Sequence, residues 1–303
     1  MQPGDTPVVV WGRPAAHFCL GQHQSAQAEL VAAPHVPVLR RPLGGGGVWL
    51  DSQQACVVLV APREWFPHRT RDWYAHALAP VVCVYQEQAL AVNQVEQDLW
   101  LAGRKLAGSG AASIGHAGLV GSSFLLKFPF DEFARLISSP SQGFSEWLQA
   151  ALRQNITCWA DHASLPDWDW LSMMYRRAAV GQFGWRWEQS VLRDDERAAC
   201  ATWHEELVPE EFGTKKTVPY GIKVRSACFL TERVWDGQKV RVLTRDGHFE
   251  RVWLSAVLHL PETALQNCAA LPGEVAEVLA QWQPADLAQQ YAEQVMATAC
   301  FSD

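Results

Sequence analysis

Charge is scarce in this chain: of 303 residues only 19% are Asp, Glu, Lys or Arg, against 49% that are hydrophobic. That balance excludes disorder over most of the length, and the length allows one large domain with a small one beside it. What charge there is sums to −7, which excludes a nucleic-acid binder acting through a broad basic surface. No apolar run reaches membrane-spanning length, and no charged segment followed by an apolar stretch opens the chain, so a cytoplasmic protein without a membrane partner is expected. The eight cysteines never fall in C-x-x-C spacing, which argues against structural zinc and for reduced core thiols. Neither a Walker A loop nor the Rossmann glycine spacing is present.

What the chain does have is a run of four glycines behind two arginines, Arg40-Arg41-Pro42-Leu43-Gly44-Gly45-Gly46-Gly47-Val48-Trp49-Leu50-Asp51. Consecutive glycines let the main chain lie flat against a ligand and turn N–H groups toward anionic oxygens. Arginines beside such a loop suit phosphate or carboxylate. A second segment, Asp98-Leu99-Trp100-Leu101-Ala102-Gly103-Arg104-Lys105-Leu106-Ala107-Gly108-Ser109-Gly110, brings an acid, a basic pair and more glycine. Each alone reads as an ordinary turn with solvated charges; together they suggest a site for an activated carboxylate. The fifteen tryptophans stand mostly in apolar surroundings and are expected to pack rather than to cage a ligand.

The two segments resemble the lipoate-protein ligase A family of the biotin/lipoate ligase superfamily. The first resembles that family's Arg-Arg-x-Ser-Gly-Gly-Gly-Ala-Val-Tyr/Phe-His-Asp, aligned without a gap from Arg40 to Asp51. The second resembles its Asn-Asp-Leu followed by Gly-Lys/Arg-Lys-(Ile/Val)-x-Gly-Ser-Ala, aligned from Gln97 to Gly110. Cys19-Leu20-Gly21-Gln22-His23-Gln24 is similar to the family's early Gly-x-x-Gln strand end, and Tyr175 to Leu207 to its late helix. Four departures stand out. Leu43 and Leu50 replace Ser and His, Gly47 replaces Ala, and Val120-Gly121-Ser122-Ser123 stands where the family has His-His-Gly-Thr. His116 is near enough in sequence to substitute for one lost histidine. The Asn-x-Ala-x-Asp/Glu helix that opens the family's domain is also missing from this sequence, as in a divergent member or a chain whose start lies upstream.

The resemblance implies an α+β fold: a catalytic domain of mixed β-sheets flanked by helices over residues 1–213, and a small α+β accessory domain over 214–303. It implies an ATP-dependent ligase that joins lipoate, octanoate or a similar small carboxylic acid to AMP, then passes the acyl group to a lysine of a lipoyl domain or H-protein-like carrier. Lys105 would contact carboxylate and phosphate oxygens. Arg40 and Arg41 would bind the acid or phosphate side, and Gly44, Gly45, Gly46, Gly47 and Val48 would line the adenylate. Asp98 would orient nucleotide or Mg2+, with Gly108, Ser109 and Gly110 as the facing wall. Two other functions stay open. An acyltransferase using a thioester donor would need a cysteine where this chain has Leu90 or, in the other arrangement, a residue near Ser139; Cys83 and Cys158 are the nearest thiols. A carrier-binding relative without chemistry is the third reading.

Short apolar runs at Val8–Val10 and Val57–Val60 predict buried strands, and 67–79 predicts a helix ended by Pro80. Residues 91–101 predict paired strands, 124–128 a strand, 131–137 a short helix and 138–143 a loop. Further on, Lys215 to Val224 reads as a linker, and Asp236-Gly237 and Asp246-Gly247 as hairpin turns. Helices are expected around 274–279 and 285–292.

Overall fold

The computed structural model describes residues 2, 4–206, 216–266 and 268–301. The boundary expected at 213/214, and with it Leu207 and Lys215, lies outside the described residues. In chain order the elements are β1 (Val8–Gly12), β2 (His17–Leu20), α1 (Ala26–Glu29), β3 (Val38–Arg40), β4 (Val48–Leu50), β5 (Gln54–Pro62) and α2 (Thr70–Glu87). There follow β6 (Asn93–Val95), β7 (Asp98–Leu101), β8 (Arg104–Ala107), β9 (Gly110–Ile114), β10 (Ala117–Leu125), α3 (Phe130–Leu136), α4 (Gln142–Asn155), α5 (Trp168–Phe183) and α6 (Asp194–Glu206). The chain closes with β11 (Gly221–Arg225), β12 (Cys228–Trp235), β13 (Gln238–Arg245), β14 (His248–Leu254), α7 (Pro272–Leu279) and α8 (Ala285–Thr298). The mixture of sheets and helices is the expected α+β class. No helix among the described residues is long and apolar enough to cross a membrane.

Two compact units divide the chain, the first formed by 1–23, 34–129 and 154–210, the second by 24–33, 130–153 and 211–303. In the first, a four-stranded sheet of order β1-β5-β10-β9 is joined by two three-stranded sheets, β3-β2-β4 and β6-β7-β8. β5 alternates: Ala55, Val57, Leu59 and Ala61 are buried while Cys56, Val58 and Val60 are half-buried, as a two-faced strand requires. Its inner face packs with Trp73, Ala77, Val81 and Val84 of α2 and Leu171, Tyr175 and Ala179 of α5, side chains set three or four residues apart on each helix. Asp167 caps α5, its Oδ1 accepting from the N–H groups of Asp169 and Trp170. Gly184 ends it in the left-handed conformation with φ 68°.

The helix expected to stop before Pro80 instead runs through it to Glu87. The proline costs one backbone hydrogen bond, but Pro80, Val81, Val84 and Tyr85 are all buried, and that apolar burial carries the helix onward. The strand expected at 124–128 is the end of β10, which finishes at Leu125. The loop expected over 138–143 is shorter, since α4 begins at Gln142. The single late helix expected from Tyr175 is two helices, α5 and α6, broken after the Gly184 cap.

The second unit holds the antiparallel sheet β11-β12-β13-β14. Both expected Asp-Gly turns are present, with φ 47° and 83° at Asp236-Gly237 and 50° and 81° at Asp246-Gly247, the doubly left-handed geometry of a two-residue hairpin. Val240, Val242, Phe249 and Val252 pack against Val275 and Leu279 of α7 and Ala292 and Val295 of α8. A buried ion pair, Arg241 Nε to Glu232 Oε2 at 2.6 Å, also takes the Ser141 hydroxyl at 2.9 Å.

Candidate active site

The glycine run is the connection from β3 to β4, residues 41–47, which passes over the end of the intervening strand β2. Two arginines hold it there. Arg41 donates from Nη2 to the carbonyls of Gly44 (2.8 Å) and Gly46 (2.7 Å) and from Nη1 to that of Cys19 (3.0 Å). Arg40, buried, donates from Nη1 to the carbonyls of Gly21 and Gln22, each at 3.2 Å. The Gln22 N–H reaches the Leu43 carbonyl at 2.8 Å. With its carbonyls turned to Arg41, the loop has no protein acceptor among the described residues for the N–H groups of Gly44, Gly45, Gly46 and Gly47. N–H donors left without protein partners on a glycine main chain are free to meet anionic oxygen. Both arginines, expected on the acid or phosphate side, here donate to main-chain carbonyls at the end of β2 and in the loop.

Glycine is demanded at two points. Gly45 has φ 89°, and Gly21 lies so close to the loop that an added methyl would stand 2.0 Å from the Gly45 carbonyl oxygen. At Gly44 and Gly46 an added methyl would meet only open space. Replacing Arg41 by Lys keeps the charge but removes the planar fork that spans three carbonyls. We expect stability to fall by about 2 kcal/mol, the scale of one charged hydrogen bond, read from a urea titration.

The second segment forms the hairpin β7-β8 around Ala102-Gly103, again doubly left-handed. A bulge in its register re-aims side chains locally, and Lys105 Nζ lies 2.8 Å from Asp98 Oδ2. Asp98 is only 4% exposed, so its carboxylate is balanced by one partly exposed ammonium. Lys105 Nζ is also 3.3 Å from the place a methyl on Gly108 would take, and the Ser109 hydroxyl donates to that of Ser122 at 3.0 Å. Two residues on, a methyl on Gly110 would stand 3.0 Å from Leu43 Cδ1. Gly108 and Gly110 are separated by two residues of extended chain, about 7 Å, so the lysine segment and the glycine loop meet along 108–110. Val48 is exposed at the start of β4.

β8 is anchored from behind. The Thr157 N–H donates to the Lys105 carbonyl at 2.9 Å, and Asp161 accepts from Thr157 Oγ1 at 2.7 Å and faces Arg104 at 3.8 Å. Burial pushes the Asp161 carboxyl up, but the bonds from Thr157 and Cys158 and the Arg104 charge outweigh it and hold the group below the ordinary aspartate range. A carboxyl lowered in the folded state stabilises fully above its unfolded pKa, about 4, and loses that contribution as pH falls through the folded value. Thermal midpoints measured from pH 6 to pH 3 should therefore drop less in Asp161→Asn than in the parent protein.

The thiols nearest the proposed chemistry are not activated. Burial raises Cys19 against the opposing Arg41 charge, and Cys56 is pushed up to about 11 by burial and the neighbouring Cys19. Cys158 is likewise raised by burial. His116 is exposed in the β9–β10 turn, at the far end of β9 from Gly110, so it does not replace a lost pocket histidine. Among the described residues no cluster of three or more His, Cys, Asp or Glu could hold a metal. Asp98 has one oxygen paired with Lys105, so a carboxylate sharing Mg2+ with substrate phosphates would have to offer the other. A cavity of about 270 Å³ between α2 and α5, lined by Pro80, Cys83, Met174 and Gly181, contains none of these groups.

The role of Gly21, which seats the loop, and of the 157–161 turn, which anchors β8, had no signal in the sequence beyond the Gly-x-x-Gln ending of β2. Residues 3–171 match the family profile of the lipoyl protein ligase A/B catalytic domain. No curated protein gives a significant match. Among solved structures, the bipartite lipoate protein ligase of Thermoplasma acidophilum, described with its E2 lipoyl domain, superposes with a TM-score of 0.63 at 17% identity, covering 72% of this chain and 89% of that one. A lipoate-protein ligase A bound with ATP gives 0.59 at 16% identity, covering 71% and 89%. P. falciparum LipL1 in complex with lipoate gives 0.54 at 10% identity, covering 98% and 89%.

Proposed function

This chain belongs to the lipoyl protein ligase A/B catalytic-domain family, and on that premise we propose that it is an ATP-dependent ligase for lipoate or a related medium-chain acid. The observation that carries the reading is that the segment following Lys105, which pairs with Asp98, meets at Gly110 the Leu43 end of a glycine loop whose carbonyls at Gly44 and Gly46 are pinned to Arg41. A carboxylate oxygen of the acid attacks the α-phosphorus of ATP, the bond to the β-phosphate oxygen breaks, and pyrophosphate leaves. Charge grows on oxygens facing the Lys105 ammonium and the loop N–H groups, fixed donors that need no reorganisation during the reaction. Asp98 keeps the Lys105 side chain from swinging into solvent. Mg2+, held through Asp98 and the phosphates, would screen the triphosphate charge.

The ε-amine of a carrier lysine then attacks the acyl carbonyl, the bond to AMP breaks, and the amine loses its proton to water or to the departing phosphate. A lipoyl domain or H-protein-like protein is the carrier proposed, by analogy with the Thermoplasma ligase and its E2 lipoyl domain, and a cytoplasmic location suits such a partner. Transfer from a thioester is disfavoured, because Leu90 and Ser139 occupy the positions where such enzymes place cysteine and Cys158 is a raised, buried thiol. The test is isotope exchange between pyrophosphate and ATP. Exchange that appears only when lipoate or octanoate is added supports the reading; absence of exchange with every medium-chain acid contradicts it.

A further inference from the structure

Arg104, the first basic residue of the Gly-Arg-Lys segment, lies off the face on which Lys105 meets Asp98, because successive side chains of a strand leave on opposite sides. Its Nη1 stands 3.5 Å from the Ile156 carbonyl and 3.8 Å from Asp161 Oδ2. The chain at 156–162 borders the edge of β8 that β7 does not pair, with Ile156 bridging to Lys105. The Lys105 main chain is thus held on both edges, by Trp100 of β7 and by the bridge at Ile156.

Thr157 ties the second edge down. Its N–H donates to the Lys105 carbonyl at 2.9 Å. Its side chain is fully buried, so its hydroxyl needs partners within the protein. Oγ1 lies 2.7 Å from Asp161 Oδ2 and 2.8 Å from His162 Nε2. A hydroxyl has one proton, and an ionised carboxylate can only accept. The proton therefore goes to Asp161, and His162 presents Nε2–H to the threonine oxygen. Asp161 Oδ2 also accepts from the Cys158 N–H at 3.2 Å. Trp159, buried with its ring 4.9 Å from that of Tyr85, fastens this turn to the core. The contacts close a ring that runs from the Lys105 carbonyl through Thr157 to Asp161, from Asp161 to Arg104, and along one peptide back to Lys105.

Resting on the ligase reading above, we infer that Arg104, Thr157 and Asp161 are positioning residues, which touch neither acid nor nucleotide and hold the Lys105 main chain where its ammonium reaches the reacting oxygens. A misplacement of about 1 Å costs on the order of 10²-fold in rate, so the smaller slack left by one lost tie should cost about tenfold. Thr157→Val keeps the shape and the N–H but removes the hydroxyl. Arg104→Met, at a partly exposed side chain, cuts the other tie and serves if the valine variant does not fold. Each should lower kcat for acid-dependent exchange of pyrophosphate into ATP by about tenfold, and Thr157→Ser should restore it.

The deciding comparison places Arg104→Met in Lys105→Ala. A residue that acts only through Lys105 has nothing left to position there, so the second substitution should cost no further activity. An equal loss with and without the lysine overturns the inference, because a merely structural role weakens both alike. Position is read without turnover by acylating lysine amines with a succinimidyl ester and measuring the labelled peptides by mass. Lys105 should label several-fold faster in Arg104→Met than in the parent protein, while the exposed Lys127 labels at the same rate in both. Unchanged labelling of Lys105 also overturns the inference. If the parent protein shows no exchange with any acid and Arg104→Met still quickens Lys105 labelling, the ligase reading fails and the positioning stands.

Discussion

Lys105→Ala is expected to lower acid-dependent exchange of pyrophosphate into ATP by about 10²- to 10³-fold, the usual cost of removing one donor aimed at developing negative charge. Loss of activity must be distinguished from loss of stability, because Lys105 is also the counter-charge of a nearly buried carboxylate at 2.8 Å. Removing it alone leaves Asp98 unpaired, which is more costly than the pair was worth. The double variant Lys105→Met with Asp98→Asn takes away both charges and should recover most of the lost stability. Its activity should stay at the level of Lys105→Ala. Recovery of exchange in the double variant would mean that Lys105 only neutralises Asp98.

Gly21→Ala is expected to cost at least about 10²-fold in activity, through geometry rather than charge. The added methyl would overlap the Gly45 carbonyl oxygen at 2.0 Å and stand 3.0 Å from its carbon, and both are backbone atoms with no rotamer to retreat into. The loop must move by an ångström or more, and the neighbouring carbonyls of Gly44 and Gly46 are those that Arg41 holds. A displacement of that size is enough for a loss of about 10²-fold. Hydrogen exchange at residues 43–47 should quicken in the variant while β5 and α2 keep their protection. Unchanged exchange in the loop together with full activity would show that Gly21 does not seat it.

Much of this site was legible before any coordinates, for a physical reason. A loop that must offer bare N–H groups suits glycine, and a run of four glycines, an ordinary turn by itself, marks a candidate anion site once it is set beside two arginines and the lysine segment. What the sequence concealed were partners distant along the chain. Arg41 looks like a ligand contact because arginine suits anions, and only the folded loop shows its guanidinium donating to the carbonyls of Cys19, Gly44 and Gly46. Gly21 is unremarkable until β2 and the β3–β4 connection are brought together. The pairing of Lys105 with Asp98 depends on a bulge in a short hairpin, which spacing alone does not disclose. Likewise α2 passes Pro80 because Val81, Val84 and Tyr85 are wanted in the core, a tertiary demand that outweighs a local breaker. The half of α4 that carries Phe144, Trp147, Leu148 and Ala151, all buried, has clear helical spacing and was open to reading.

The most direct test of the ligase account is intact-mass measurement of an apo lipoyl domain after incubation with this protein, lipoate and magnesium-ATP, with a parallel reaction lacking ATP. The carrier should gain the mass of one lipoyl group only where ATP is present, and should gain none with Lys105→Ala. A carrier modified equally without ATP, or unmodified in both reactions although the parent protein binds it, would contradict the account.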